Sequence, residues 1–311
     1  MTKRKLVVIL LLIFVTLYGC RANPPAEDTD KITVYTSFYT MYDFTLKIAG
    51  DRVNLYNMVP SGMEPHDWEP SPKDVAGLSD ADLFIYNGAG MEGWAEKVVS
   101  SINNPDLILV EASKGIQLER SEHEEASDEE NGHSHEDLEY DPHVWLDPMK
   151  AKLQMEAIRD GLIQADPENS SFYQERFQEY SEKLNALDEA FRQAVKSFSK
   201  KEIVVAHEAF GYLCHAYGLE QVAIEGLSGE SEPTPARMAE IIDFVREHEV
   251  RVIFFEELAS PKVAEAIARE TGVRTALLNP LEGLTDDNLK AGKDYFSVME
   301  ENLEALKQAL Q

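Results

Sequence analysis

The amino-acid sequence predicts an α/β protein of two lobes, each a four-stranded, mainly parallel sheet flanked by helices. Two separate stretches of the chain alternate short apolar runs with helical segments, and near-continuously apolar strands are typical of parallel sheets covered on both faces. One long helical segment lies between these stretches and joins the lobes. The length of 311 residues is consistent with two domains of about 150 residues each.

The N-terminal segment is not expected to belong to the mature fold. Residues 3–5 are basic and precede an apolar run of 14 residues from Leu6 to Gly19, which is too short to span a bilayer comfortably. The run ends directly before Cys20 and resembles a bacterial lipoprotein signal, which implies a signal peptide over residues 1–19 and lipidation of Cys20. Residues 20–30 are then a polar tether. The alternative is an ordinary secretory signal. Under the lipoprotein interpretation the protein is extracytoplasmic and anchored by lipid to a bacterial cell membrane.

The first lobe is predicted to span residues 31–165. Its strands are the runs KITVYTS, RVNLYNMV, ADLFIYN and DLILV. Helices are predicted before Gly50, over SPKDVAGLS and from Met91 onward.

One segment of this lobe interrupts the alternation. Residues 119–141 contain eleven acidic residues and three histidines, His123, His133 and His135, with almost no apolar side chain. Such a composition cannot form a core, so we expect a surface loop. Two interpretations stay open: a solvated acidic insertion, or an auxiliary metal-capturing loop, since imidazoles beside carboxylates are weak ligands for divalent metals.

A single linking helix is predicted over residues 166–200. The segment contains no glycine, and no proline follows Pro167. A helix of roughly 30 residues is about 45 Å long, and so stiff a connection predicts little hinge motion between the lobes. Apolar residues recur in the segment at helical spacing: Phe172, Tyr173, Phe177, Tyr180, Leu184, Leu187 and Phe191.

The second lobe is predicted to span residues 201–311. The strands are EIVVA, EQVAIEGL, VRVIFFE and VRTALLN. Helices are expected through Cys214, after Pro233-Thr234-Pro235, after Ser260-Pro261 and at the C-terminus. Cys214 is interpreted as a small buried apolar side chain.

Charge and cysteine content exclude several functions. The 57 acidic residues outnumber the 29 basic ones, giving a formal net charge of −28, so a nucleic-acid partner is not expected and cations are the better candidates. The same charge favours a monomer. Only two cysteines are present, which excludes a disulfide framework and a multi-cysteine zinc ribbon.

Three histidines stand where the ligand cleft of such a fold is expected. His66 follows the strand RVNLYNMV, His143 lies in DPHVWLDP, and His207 directly follows EIVVA. In open α/β sheets, ligands bind outside the carboxyl ends of the strands, so these imidazoles are predicted to meet between the lobes. His215 and His248 lie in predicted helices and are interpreted as surface or packed histidines.

Three imidazoles leave a tetrahedral ion one ligand short. Glu282 is the predicted fourth ligand, because it follows the strand VRTALLN at the matching edge of the second lobe. The alternatives are Glu256, Glu257 and a water molecule. Three imidazoles and one carboxylate suit Zn²⁺, and we expect one ion per chain. We also expect Asp141 or Asp147 to orient His143.

Two motif-like stretches do not indicate an enzyme. Gly88 to Gly93 match GxGxxG but follow the third strand instead of the first, and these glycines are interpreted as turn and packing residues. His207-Glu208 lacks the second histidine of HExxH, because position 211 is glycine.

The blocks MEPHDWEPSP, DPHVWLDP, HEAFGYL, FFEELASPKVAEAIA and NPLEGLT resemble the substrate-binding lipoproteins of bacterial metal-transporting ABC systems, specifically the zinc branch. The resemblance implies two lobes joined by a long helix, a metal between them, and His66, His143 and His207 as ligands. The manganese branch typically has a carboxylate at the third position, where this chain has His207. The resemblance also implies a membrane permease as partner, a separate ATPase, and no enzymatic activity.

Three other functions remain open. A zinc-dependent hydrolase would use Glu208 as a general base. A manganese receptor of the same family would bind Mn²⁺ instead of Zn²⁺, and an interaction protein would still bind its partner after the three histidines are replaced.

Overall fold

The computed structural model describes residues 30–120, 139–227 and 233–311. The predicted signal peptide, Cys20, and the loop histidines His123, His133 and His135 lie outside the described residues. Within these ranges no helix combines the length and the apolar character that a membrane crossing requires.

The first sheet has four parallel strands in the order β2-β1-β3-β4. The strands are β1 (Thr33–Thr36), β2 (Asn54–Asn57), β3 (Leu83–Tyr86) and β4 (Ile108–Glu111). Its helices are α1 (Tyr39–Ala49), α2 (Pro72–Ser79), α3 (Ala95–Ser101) and α4 (Pro148–Ala165). A capping box starts α2, in which the Ser71 hydroxyl and the Asp74 carboxylate each accept a hydrogen bond from the other residue's amide.

The second sheet repeats this arrangement, with parallel strands in the order β6-β5-β7-β8. The strands are β5 (Glu202–Val205), β6 (Glu220–Ala223), β7 (Val252–Phe255) and β8 (Arg274–Leu277). The linking helix is α5 (Ser170–Ala194), and the helices of the second lobe are α6 (Gly211–Tyr217), α7 (Pro235–Glu247), α8 (Lys262–Thr271), α9 (Asp286–Lys290) and α10 (Tyr295–Leu310). The predicted fold class is therefore confirmed.

The linking helix α5 is shorter than the predicted segment 166–200. Asp166 has an extended φ of −137° and ends α4, and short 3-10 turns flank α5 at Pro167–Asn169 and Val195–Ser197. The 25 residues of α5 are about 37 Å long at 1.5 Å per residue.

The two lobes share one continuous hydrophobic core. Phe38 and Trp145 from the first lobe, Phe191 from α5, and Phe254 and Tyr295 from the second lobe all belong to it and are nearly or fully buried. A smaller cluster covers the other face of the second sheet. Because one core crosses the boundary between the lobes, opening the cleft would expose apolar surface, which is unfavourable in water. The ligand cleft therefore rests on a rigid frame.

Candidate metal centre

His66 lies on the loop that follows β2. Pro65 and Trp68 from this loop are buried, and the Trp68 ring packs edge-on against Trp94 at 5.4 Å between centroids. The His66 amide donates a hydrogen bond to Glu64 Oε1 at 3.0 Å. The imidazole itself is buried, with only 4% of its side chain exposed.

His143 directly precedes a buried 3-10 turn, Val144–Leu146, between β4 and α4. Asp141 Oδ1 accepts hydrogen bonds from the His143 amide at 2.8 Å and from Nδ1 at 2.7 Å, so Nε2 is left to face the cleft. Of the two carboxylates expected to orient this ring, Asp141 does so. Asp147 instead caps α4 by accepting from the Met149 amide at 2.8 Å.

His207 follows β5 and is held in the same way. Glu256 Oε1 accepts from His207 Nδ1 at 2.7 Å and from the His207 amide at 3.2 Å. Glu257, the next residue, accepts from Asn288 Nδ2 at 2.6 and 2.7 Å. Of the two carboxylates considered as alternative fourth ligands, Glu256 therefore orients a histidine and Glu257 binds an asparagine.

The Glu282 carboxylate lies close to all three imidazoles. Its Oε1 lies 2.8 Å from His143 Nε2 and 3.2 Å from both His66 Nε2 and His207 Nε2. His143 Nε2 lies 3.3 Å from His66 Nε2 and 3.4 Å from His207 Nε2. In a tetrahedral zinc site with bonds of about 2.0–2.1 Å, ligand atoms are about 3.3–3.4 Å apart. The four atoms therefore lie close enough together to coordinate one ion.

A family model described as ZnuA, zinc-uptake complex component A, periplasmic, matches residues 34–309. The chain belongs to the ZnuA family. The family resemblance inferred from the sequence is thereby confirmed.

Relatives of this ZnuA-family chain include two proteins with zinc in their names. It is 43% identical over 284 residues to the high-affinity zinc uptake system protein ZnuA of Bacillus subtilis, covering 90% of this chain and 88% of that protein. It is 39% identical over 304 residues to the zinc-binding lipoprotein AdcA of Streptococcus pneumoniae, covering 98% of this chain. The match spans 61% of the length of AdcA.

Solved structures share the fold. The Zn(II)-bound ZnuA-like domain of Streptococcus pneumoniae AdcA has a TM-score of 0.76 at 40% identity, covering 90% of this chain and 99% of that one. The laminin-binding protein Lmb of Streptococcus agalactiae, described as bifunctional with adhesin and metal-transporting activity, has a TM-score of 0.79 at 35% identity, covering 90% of this chain and all of that one.

Opposing charges dominate the electrostatics of the ZnuA-family site. Burial alone would raise the pKa of Glu282, but the His207 charge and the hydrogen bonds from the three imidazoles hold it well below its usual value. Burial alone would lower the pKa of His207, but the charges of Glu256 and Glu282 raise it well above its usual value. The surrounding charges therefore favour a proton on His207 and a negative charge on Glu282.

The pKa values of the other two imidazoles shift in opposite directions. Burial lowers the pKa of His66. Burial also acts to lower the pKa of His143, but the charge and hydrogen bond of Asp141 outweigh it and raise that pKa. A metal must displace the proton from any imidazole that is protonated, because only neutral imidazole is a ligand.

Sequence reasoning missed Glu64 as a neighbour of the site. Burial and the charge of Glu282 raise the pKa of the Glu64 carboxyl to about 9. The only signal was its position two residues before His66 in the block MEPHDWEP.

Sequence reasoning also missed the support that Gly211 provides. A Cβ built at Gly211 would lie 2.6 Å from Asp141 Oδ2, so a larger residue would displace the carboxylate that orients His143. Gly211 occupies the position at which the HExxH motif has its second histidine. The contact with Asp141 explains why a glycine is needed there.

The GxGxxG-like stretch is a tight turn whose backbone amides donate hydrogen bonds to the carboxylate of Glu92 within the same stretch. The buried Glu92 accepts from the Asn87 amide at 2.8 Å, the Gly88 amide at 2.9 Å and the Ser37 hydroxyl at 2.6 Å. Gly88 has a φ of +80°, and a Cβ there would lie 2.5 Å from Glu111 Cγ. The turn amides therefore bind an internal carboxylate where a dinucleotide site would bind phosphate.

The remaining described histidines lie outside the cluster. His215 is exposed and lies 3.1 Å from Glu119 Oε2, and His248 ends α7 and stacks on Phe244 with 4.0 Å between ring centroids. Cys214 is buried, and burial raises the pKa of its thiol well above the usual value.

Proposed function

We propose that this protein is an extracytoplasmic zinc receptor that binds one Zn²⁺ through His66, His143, His207 and Glu282. It passes the ion to a membrane permease driven by a separate ATPase. The observation that supports this most directly is the spacing of the four ligand atoms, which all lie within 4.8 Å of one another.

The donor set favours zinc over manganese. Three imidazole nitrogens and one carboxylate oxygen suit a borderline-soft ion, whereas Mn²⁺ prefers a larger share of oxygen ligands. The carboxylates of Asp141 and Glu256 accept hydrogen bonds from Nδ1–H of His143 and His207. The Nε2 lone pair of each ring is therefore directed toward the ion.

A receptor also fits the geometry better than a zinc-dependent hydrolase. Catalytic zinc sites keep a coordination position for water, whereas four protein ligands complete a tetrahedron. Members of this family are substrate-binding receptors, and the absence of catalysis remains part of the proposal.

Several further predictions belong to this proposal. We propose a signal peptide over residues 1–19, a lipid anchor on Cys20 and a tether over 20–30. We further propose lobes over 31–165 and 201–311, joined by a linking segment over 166–200, in a monomeric protein. Support for the anchor is the signal-like sequence and the lipoprotein relative AdcA. His123, His133 and His135 would provide an auxiliary metal-capturing loop.

Metal titration of residues 21–311 tests the site. Chelator-stripped protein should take up one tightly held Zn²⁺ per chain and prefer it to Mn²⁺. The triple variant His66→Ala/His143→Ala/His207→Ala should lose this binding, because no other described group of histidines and carboxylates meets in this way.

The matched control is the double variant His215→Ala/His248→Ala, which removes two imidazoles outside the cluster. It should bind one zinc as the unmodified protein does. Zinc retained by the triple variant would exclude the proposed ligands, and ester or phosphoester hydrolysis abolished by His207→Ala would favour the hydrolase.

A further inference from the structure

The loop that bears Glu282 contains a strained backbone position. Leu281, immediately before Glu282, has a φ of +62°, in the left-handed region that side chains other than glycine and asparagine rarely adopt. Leu281 is also completely buried, so no contact with solvent can compensate for the strain. The surrounding structure must therefore hold the backbone there.

Two side chains of the first lobe hold this loop. The Thr40 hydroxyl, on α1, donates to the Leu281 carbonyl at 2.5 Å. The Trp145 indole nitrogen, two residues after His143, donates to the Pro280 carbonyl at 2.7 Å. Both side chains are fully buried, so no water competes for these two carbonyls from the side of the first lobe.

The second lobe holds the same loop from the other side. The Leu281 amide donates to Asn279 Oδ1 at 2.8 Å. Asn302, on α10, accepts from the Asn279 amide at 2.9 Å and donates to the Asn279 carbonyl at 2.8 Å. These bonds fix where the loop starts, whereas the bonds from Thr40 and Trp145 fix the carbonyls nearest Glu282.

We infer that Thr40 and Trp145 are positioning residues that hold Leu281 in its left-handed conformation and thereby place the Glu282 carboxylate among the three imidazoles. If Leu281 relaxed to a negative φ, the next peptide would turn and Glu282 Oε1 would leave its position 2.8 Å from His143 Nε2. The inference rests on the proposed function, since it concerns how the fourth ligand reaches the ion.

This arrangement makes the fourth ligand depend on contact between the lobes. Thr40 and Leu281 are 241 positions apart in the chain, and their bond crosses from one lobe to the other. Separating the lobes at this point would release the Leu281 carbonyl, free the strained residue and withdraw Glu282. Zinc would then lose Glu282 as a ligand and would dissociate faster.

Thr40→Val tests the inference, because valine keeps the shape of threonine and removes only the hydroxyl. Zinc dissociation into excess chelator should be about tenfold faster, the effect expected when one buried hydrogen bond of ordinary strength is lost. The visible absorption bands of the Co²⁺-substituted protein should change as well, since they report the geometry and number of ligands.

Two control variants separate positioning from general destabilisation. Thr45→Val removes an equally buried hydroxyl from the same helix, but Thr45 donates to the Met41 carbonyl within α1 at 2.7 Å. Thr40→Ser restores a hydroxyl at the tested position. Both should release zinc within about twofold of the unmodified protein and keep its Co²⁺ spectrum.

Unchanged dissociation and an unchanged Co²⁺ spectrum in folded Thr40→Val would overturn the inference, as would an equal change in Thr45→Val. If Thr40→Val does not fold, as judged by circular dichroism, Trp145→Phe removes the other donor and must change the Co²⁺ spectrum for the inference to stand.

Failure of the proposed function has a different signature. If the unmodified protein binds no zinc, or if Glu282→Gln leaves zinc affinity and the Co²⁺ spectrum unchanged, the proposed ligand set is wrong, and the positioning role is overturned with it. If Glu282→Gln weakens binding while Thr40→Val and Trp145→Phe do not, only the positioning role is wrong.

Discussion

Replacing Glu256 by glutamine tests whether the hydrogen-bond partner of a ligand sets zinc affinity. Glu256 Oε1 accepts from His207 Nδ1 at 2.7 Å and from the His207 amide at 3.2 Å. Glutamine keeps the length and an acceptor oxygen but removes the negative charge. Loss of such a partner typically lowers metal affinity about 10- to 100-fold, which corresponds to about 1.4–2.7 kcal/mol.

The substitution should also change the pH dependence of zinc binding. The pKa of His207 lies well above its usual value, since the charges of Glu256 and Glu282 outweigh the effect of burial. Zinc must displace the proton that this ring holds, so affinity should rise with pH throughout the range below that raised pKa. Glu256→Gln removes one of the two charges and lowers the pKa of His207. The affinity of the variant should therefore depend less steeply on pH.

The two affinity curves should accordingly be farthest apart at pH values above the raised pKa of His207 in the unmodified protein, and they should approach each other as the pH falls below it. Competition titration against a chromophoric chelator at several pH values measures both curves. Glu257→Gln is the matched control, because the Glu257 carboxylate accepts from Asn288 at 2.6 and 2.7 Å. Parallel pH curves for Glu256→Gln, or an equal loss in Glu257→Gln, would refute the reasoning.

Two other substitutions test the support of the site and the frame of the fold. Gly211→Ala should weaken zinc binding about tenfold, because the new Cβ would lie 2.6 Å from Asp141 Oδ2 and displace it. Gly93→Ala is the control: a Cβ there has no atom within 4 Å, so this variant should bind zinc normally in the same titration. Lys47→Met should lower the free energy of unfolding by about 3–5 kcal/mol, because Lys47 Nζ lies 2.8 Å from Asp43 and both side chains are only 7% exposed. Urea unfolding measures the loss, and an unchanged midpoint would contradict the importance of this ion pair.

Much of the fold could be predicted from the sequence because hydrophobic patterning is local. Seven of the eight predicted apolar runs contain the observed strand, as ADLFIYN contains Leu83–Tyr86, and β4 extends one residue beyond the run DLILV to Glu111. The ends of elements were less predictable, since they depend on single caps and turns. The linking helix α5 starts at Ser170 because a 3-10 turn precedes it, and nothing in the apolar spacing of residues 166–200 indicates that turn.

The positions of the three histidines were predictable for a related reason. The carboxyl ends of parallel strands meet at one edge of a sheet, so a polar residue that follows such a strand faces the cleft whatever the details of packing. The rule applies most directly to His207, which comes just after β5, whereas His66 and His143 lie on longer segments that follow β2 and β4.

Which carboxylate joins the three histidines depends on the packing of the whole fold. Glu256 and Glu257 are adjacent in sequence, yet one contacts His207 and the other Asn288, while the distant Glu282 reaches all three imidazoles. Likewise, the bond from Thr40 to Leu281 spans 241 positions. Sequence periodicity encodes burial and the face of an element, whereas the direction of one carboxylate depends on how two sheets and the loops between them pack. Local patterning therefore specifies the lobes and the imidazoles, whereas the packing between the lobes specifies the fourth ligand.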